Sequence, residues 1–339
     1  MAVDGNAYSP KQFKFLIAMQ DDWGTLNPDS SGSPDNPYLA VDVDSVGSPS
    51  LNLNQVLEHR TGSRVLQATD FFQDKLTKVM EISVSGTATT EVMDMLLGNI
   101  TEGDSVPYGI AANSGAQNLT SATTNQTANQ ILSIIYSSPT SGKDMAFKDC
   151  FCTSLSLNGD AGTEGGRIKF SATFKTGSLP ADLTNSSIAV DTAITSSNYY
   201  MSAWDADDRI IAGHSNMLVN NFALNVENDV VFSGPTVTGF ESAARVGEVS
   251  ATADFNVKYD GNTDSMFENF HDQSTGASEG ATLMATDATP SNGEFEFKFA
   301  NSVITSLSLS EGDVMGFDVS VKALGAGIGS SDLFFEIAV

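Results

Sequence analysis

One short pattern occurs twice in this chain, and it constrains the fold more than any other feature. Thr153-Ser-Leu-Ser-Leu157 returns 152 residues later as Thr305-Ser-Leu-Ser-Leu309. Phe147 and Phe299 keep the same spacing. Side chains alternate across a strand, so a period of two sorts these residues onto faces. One face reads Phe147, Asp149, Phe151, Thr153, Leu155, Leu157, and its counterpart reads Phe299, Asn301, Val303, Thr305, Leu307, Leu309. The opposite face carries Ser154 and Ser156, or Ser306 and Ser308. A slip of one residue would turn the leucines to solvent, so both copies predict the same register against a core.

Other elements recur in the same order. Val79-Met-Glu-Ile-Ser83 matches Val246-Gly-Glu-Val-Ser250, and each begins a strand that leads to a short helix. Thr90 is placed to cap the first helix, with Met93, Leu96 and Leu97 on one side and Gly98 at its end. The second helix is expected over 263–270, with Met266, Phe267 and Phe270 apolar. An acidic glycine turn follows each repeat, and a closing strand follows each turn: Ile168–Phe174 and Phe317–Ala323. A length of 339 residues suits two domains. The expected fold is mainly β: two tandem β-sandwich or barrel domains, each with a short helix. The first covers 1–180, a polar linker 181–204, and the second 205–339. Further strands are expected at 13–19, 38–44, 50–57, 131–137 and 333–339. The polar stretches 21–37, 60–75 and 101–130 are expected as loops.

The chemistry of catalysis is not legible. His59, His214 and His271 lie in no metal-binding or triad spacing. Gly325-Ala-Gly-Ile-Gly329 lies too near the end of the sequence for a nucleotide-binding βαβ unit and reads as a turn. Asp205–Asp208 and Asp260–Asp264 lack the full spacing of a calcium loop. Cys150 and Cys152, two apart on one strand, are too distant for a relaxed disulfide and are expected as free thiols. The expectation is a structural protein, with no enzymatic activity, cofactor or metal. Met1–Tyr8 lacks the features of a signal peptide, and no apolar run is long enough to span a membrane as a helix.

Charge narrows the partners. Forty-two acidic residues against sixteen basic ones give a formal net charge of −26. Phosphate contacts need Lys and Arg, so this balance opposes nucleic-acid and anionic-membrane binding.

The order of elements resembles the tail tube proteins of long-tailed, siphovirus-like bacteriophages. The resemblance lies in Phe147–Gly177, in Val219–Tyr259, and in Arg60-Thr-Gly-Ser-Arg64 with Asp70-Phe-Phe-Gln-Asp74. It implies a virion protein, assembled in the host cytoplasm, whose rings stack into a hollow tube for DNA ejection. The partners it implies are copies of itself, then tape measure, terminator and tail-tip proteins, with double-stranded DNA passing through unbound. A duplicated chain would form the ring from three copies with pseudo-sixfold symmetry. Glu81, Glu248 and Asp254, on polar strand faces, are the candidate lumen-facing acids. The rival expectations are a surface adhesin or carbohydrate-binding protein, or another virion part such as a decoration or tail-tip protein.

Overall fold

A computed structural model describes residues 12–26, 38–57, 62–73, 79–101, 116–120, 131–138, 144–183, 190–191, 203–204, 211–272, 279–286, 294–324 and 333–338, with short gaps inside several spans. The 27–37 stretch, much of the linker, the Asp205–Asp208 cluster and the 325–329 turn lie outside the described residues.

The chain opens with β1 (Lys14–Gln20), β2 (Tyr38–Val41), β3 (Val43–Val46) and β4 (Ser50–Leu51). A hairpin of β5 (Gln55–Leu57) and β6 (Phe71–Gln73) precedes β7 (Met80–Thr87) and helix α1 (Thr90–Thr101). Next come β8 (Ala116–Thr120), β9 (Ile131–Ser137), the long β10 (Asp144–Asp160) and β11 (Lys169–Thr176). Short strands β12 (Ala181–Leu183), β13 (Val190–Asp191) and β14 (Ala203–Trp204) lead to β15 (Val219–Glu227). A second hairpin, β16 (Val230–Pro235) with β17 (Phe240–Arg245), precedes β18 (Ser250–Lys258) and helix α2 (Met266–Asp272). The chain closes with β19 (Glu279–Thr286), the long β20 (Glu294–Glu311), β21 (Met315–Ala323) and β22 (Leu333–Ala338).

Most strands join one large, largely antiparallel sheet. Its main run is β3–β7–β11–β10–β15–β18–β21–β20, every neighbour antiparallel. The first halves of β10 and β20 serve other neighbours: β10 pairs there with β9 and β12, and β20 with β19 and β22. The sheet crosses from one half of the sequence to the other without a break, because β10 pairs directly with β15. One apolar cluster likewise spans both halves, from Phe15 and Ile82 to Phe255 and Phe317. Among the described residues, neither the sheet nor the core is interrupted between the two halves. Part of the expected linker, β12, pairs with the start of β10.

Several expectations change in detail. In α1, Val92, Met93, Met95, Leu96, Leu97 and Ile100 are all buried. Met93 N–H donates to Thr89 O at 2.9 Å, which starts the helix after Thr89, and the helix runs from Thr90 through Gly98 to Thr101. Tertiary packing of this apolar surface outweighs the roughly 1 kcal/mol cost of an interior glycine. The helix expected over 263–270 begins only at Met266, because Thr263 closes a turn with Asp260. Part of the 101–130 loop is a strand: β8 adds to the β22 edge. β1 is buried on both faces from Phe15 to Ala18, as Leu16 and Ala18 enter a second small cluster with Tyr38 and Ile135.

The face assignment within the repeat also changes. A register shift between Cys152 and Ser154 inserts Thr153 as an extra residue against β11. Cys152 then lies opposite buried Phe174, while Leu155 lies opposite buried Ala172. Phe151 instead lies opposite Lys175 and does not share a face with Leu155. A bulge of this kind reverses the alternation on one side of it, which a uniform period of two cannot anticipate.

Gly86 allows β7 to lie close under the β2–β3 corner. A Cβ added there would sit 2.0 Å from Asp42 O, a backbone atom that cannot swing away. Gly86→Ala is expected to destabilise by about 3 kcal/mol, as overpacked sites do, read by chemical denaturation.

Candidate assembly surface: the polar sheet face and its edges

The two faces of the main sheet differ sharply. On one, Phe170, Leu157, Leu224, Ala253, Val321 and Ile304 form a continuous cross-strand row, all buried. On the other, one row reads Ser85, Ser171, Ser156, Asn225, Thr252, Lys322. Alternation against the core explains the division, and the polar face continues over both halves because the sheet does.

Glu81 and Asp254 are exposed on that polar face. Glu248 is exposed but precedes β18. Ladder register gives the reason: Glu81 lies opposite Lys175, and the residue opposite Lys322 is Thr252. The two Val-x-Glu-x-Ser segments therefore hold different positions in their ladders. Three lysines on this face are engaged by carboxylates. Lys169 Nζ reaches Asp44 at 2.9 Å, Lys175 reaches Asp229 at 2.6 Å, and Lys322 reaches Glu248 at 3.0 Å. The Lys175 hydrogen bond holds the Asp229 carboxyl below its ordinary range. A groove of about 550 Å³ on the face combines Arg167 and Lys169 with Asp160, Asp254 and Asp318.

The two copies of the repeat share a detailed geometry. A register shift separates Cys152 from Ser154 against β11, and the same shift separates Ile304 from Ser306 against β21. Thr153 Oγ1 donates to Thr173 O at 3.2 Å, and Thr305 Oγ1 donates to Ser320 O at 3.2 Å. Each residue of the second shift lies 152 positions after its counterpart, the spacing of the sequence repeat.

Their surroundings differ. The second half of β10 has a strand on each side, β11 and β15. The second half of β20 pairs with β21 alone among the described ladders. Leu155 and Leu157 are 1% and 0% exposed, whereas Leu307 is half-buried and Leu309 is 46% exposed. At the other end of the run, β3 pairs with β7 alone among the described ladders. Among the described ladders the run thus ends on β3 and on the second half of β20, where another strand could be added.

No protein-family model matches the sequence, and no curated protein matches it significantly.

Where the halves meet, β16 and β17 rest on the first half. Phe232 meets Phe151 with ring centroids 5.9 Å apart, Phe240 O accepts from Trp23 Nε1 at 3.3 Å, and both phenyl rings cover Gly177. The Arg245 guanidinium donates to Cys152 O at 2.7 Å, Asn228 O at 2.5 Å and Asn99 O at 2.6 Å, and lies over the Phe151 ring. Asn228 Nδ2 donates to Ile100 O at 2.8 Å. Residues of the second half thus satisfy carbonyls in the last turn of α1, which would otherwise be orphaned. No sequence motif announces this arginine, because its partners are backbone atoms distant in sequence.

The two cysteines are not poised as nucleophiles. Cys150 and Cys152 are free and fully buried. Burial pushes the Cys152 thiol up to about 12 and Cys150 well above its ordinary value, so both stay protonated. Buried Asp149 accepts from Gln20 Nε2, Gly24 N and Ser178 Oγ at 2.7–2.8 Å. Its carboxylate is used to fix the 22–26 loop, at a positive φ of 54° that suits Asp better than most residues.

Proposed function

We propose that this chain is a structural subunit that assembles edge to edge into closed rings, and that the rings stack into a phage tail tube. The observation that carries this reading is the contrast between the two repeats. Each half contributes a run of the same form, β3–β7–β11–β10 and β15–β18–β21–β20, and the joint between them is the β10–β15 ladder. The same joint made between β20 of one copy and β3 of the next would continue the sheet. It would bury Leu309 as Leu157 is buried. Repetition of one such heterologous contact closes a ring when the rotation divides a full turn. Three copies would supply six quasi-equivalent runs, and each half of the sequence would be one tube-like unit.

In such a ring the core lies behind the sheet, and the polar face becomes the inner wall. Serine, threonine and asparagine rows give DNA few cations to follow. Lys169, Lys175 and Lys322 are already paired with carboxylates, so a phosphate contact would have to displace them. The counterion-release gain that makes DNA adhere is thereby small, and passage through the tube is unhindered. Glu81 and Asp254 line the wall in this reading, while Glu248 acts through Lys322.

Electron microscopy of the purified chain tests the proposal: long tubes of uniform width with three chains per ring are the expected result, and a protein monomeric at high concentration overturns it. A second prediction concerns the wall. Glu81→Lys with Asp254→Lys is expected to leave tubes intact but make them retain double-stranded DNA at low salt. Retention should fall steeply as salt rises. Filter binding between about 50 and 200 mM salt measures it, and unchanged retention would place these residues away from the wall.

A further inference from the structure

The two hairpins outside the main sheet have contrasting fates. β5–β6 and β16–β17 each form a separate two-stranded sheet. Each follows the strand or strands that flank a ladder partner, β3 and β4 beside β7, or β15 beside β18. Each precedes that partner in the chain. They therefore hold corresponding places in the two runs.

Within the chain β16–β17 is docked. β15 pairs with β10 of the first half, and the hairpin that follows β15 lands on the same half. Its Phe240 is only 8% exposed. In the corresponding hairpin the described apolar side chains are exposed. Leu57 and Phe71 face one another across β5–β6 and are 59% and 44% exposed. Val65 and Leu66, in the connection between the strands, are also exposed. Grouped apolar residues on one small hairpin mark a contact surface rather than a solvated one.

We infer that β5–β6 packs on the second half of an adjacent copy of this chain in the same ring, in the place that β16–β17 takes on the first half. This rests on the edge-to-edge reading above. If β3 meets the β20 edge of the neighbour, the hairpin following β3 and β4 is delivered to the body behind that edge, as β16–β17 is delivered by β15. The surface that receives it contains Val303, the counterpart of Phe151 in the repeat, which is half-buried. The occupant is thus a second copy and the contact is apolar, lateral and heterologous. Stacking of rings then falls to other surfaces.

Two chains with one new cysteine each test this directly. Leu57→Cys and Val303→Cys chains are mixed, allowed to assemble and treated with a short bis-maleimide; the native thiols are buried. A covalent dimer present in the mixture and absent from either chain alone is expected, because the product can form only between copies. Tubes without the dimer overturn this inference and leave the tube reading standing. A dimer in a preparation that forms no tubes supports the lateral contact and removes the tube reading. A Leu57→Ser, Phe71→Ser chain supplies the complementary result. It is expected to melt as the parent monomer does, while the concentration needed for rings rises at least tenfold. Single rings that form normally but do not stack would overturn the inference by assigning the hairpin to contacts between rings.

Discussion

Leu309→Lys is expected to leave the monomer folded and to abolish ring assembly, while Leu157→Lys unfolds the chain. The two leucines end the same five-residue pattern, beyond the same bulge, opposite Phe317 and Phe170 respectively. Leu157 is fully buried, with Leu224 of β15 beside it. A lysine there would place an unpaired ammonium in an apolar interior, a loss of several kcal/mol or more, against a total stability of about 5–15 kcal/mol. Leu309 is 46% exposed at an edge, and an ammonium there can remain in water. A change within about 1 kcal/mol is expected for the monomer. In the ring, the same charge would be caught beneath the incoming β3 of the next copy. A penalty of about 3 kcal/mol per contact raises the assembly concentration roughly a hundredfold. Thermal unfolding and sedimentation separate the two effects. Tubes formed by Leu309→Lys at the parental concentration would show that this edge is not the ring contact.

Arg245→Ala is expected to be strongly destabilising, at about 3 kcal/mol or more, from three carbonyls that lose their donor. The guanidinium serves carbonyls of Cys152, Asn228 and Asn99, which belong to the bulge, the end of β15 and the last turn of α1. Alanine would leave these acceptors without that donor at a part-buried junction, each worth about 1–3 kcal/mol when unsatisfied. The planar fork matters as well as the charge, because three separate acceptors are met at once. Arg245→Lys should therefore recover less than half of the loss. Urea denaturation gives the measurement, and its slope identifies the mode of failure. An unchanged slope means the whole sheet still unfolds together, whereas a biphasic curve means that the arginine couples two halves that otherwise melt separately. A loss below about 1 kcal/mol, the value of an exposed pair, would remove Arg245 from the junction.

The exposed ion pairs illustrate the opposite case. Asp229 and Lys175 are 2.6 Å apart, but the carboxylate side chain is 58% exposed. Its lowered pKa means that its stabilisation is present above the ordinary carboxylate range and is lost as pH falls through the lowered value. Solvent screening keeps that contribution small. The pair's consequence is to occupy a lysine rather than to hold the fold.

The legible part of the fold follows from local rules. Strand positions such as β1, β9, β11 and β22 were readable because alternation and turn residues are encoded within a few positions. α1 was readable from its apolar spacing, although its end was not: Gly98 has the character of a stop signal, but buried Leu97 and Ile100 hold the helix past it. The bulge was unreadable because Thr153 and Thr305 fit an unbroken alternation, and only pairing with β11 and β21 reveals the extra residue. Likewise Glu248 matches Glu81 in sequence, yet the ladders place it before its strand.

What the sequence determined by itself was the predominance of strands, the repeated motif and the one-sided charge, each a property of short segments or of the whole composition. The tertiary structure decided that the two halves share one sheet and one core. It also decided that one copy of the motif is covered and the other lies at an edge. The physical reason is that a strand's own residues specify alternation and propensity, but not the neighbour that completes its hydrogen bonds. Thr-Ser-Leu-Ser-Leu is the same in both copies; only β15, which lies beside one and not the other, makes Leu157 a core residue and leaves Leu309 exposed.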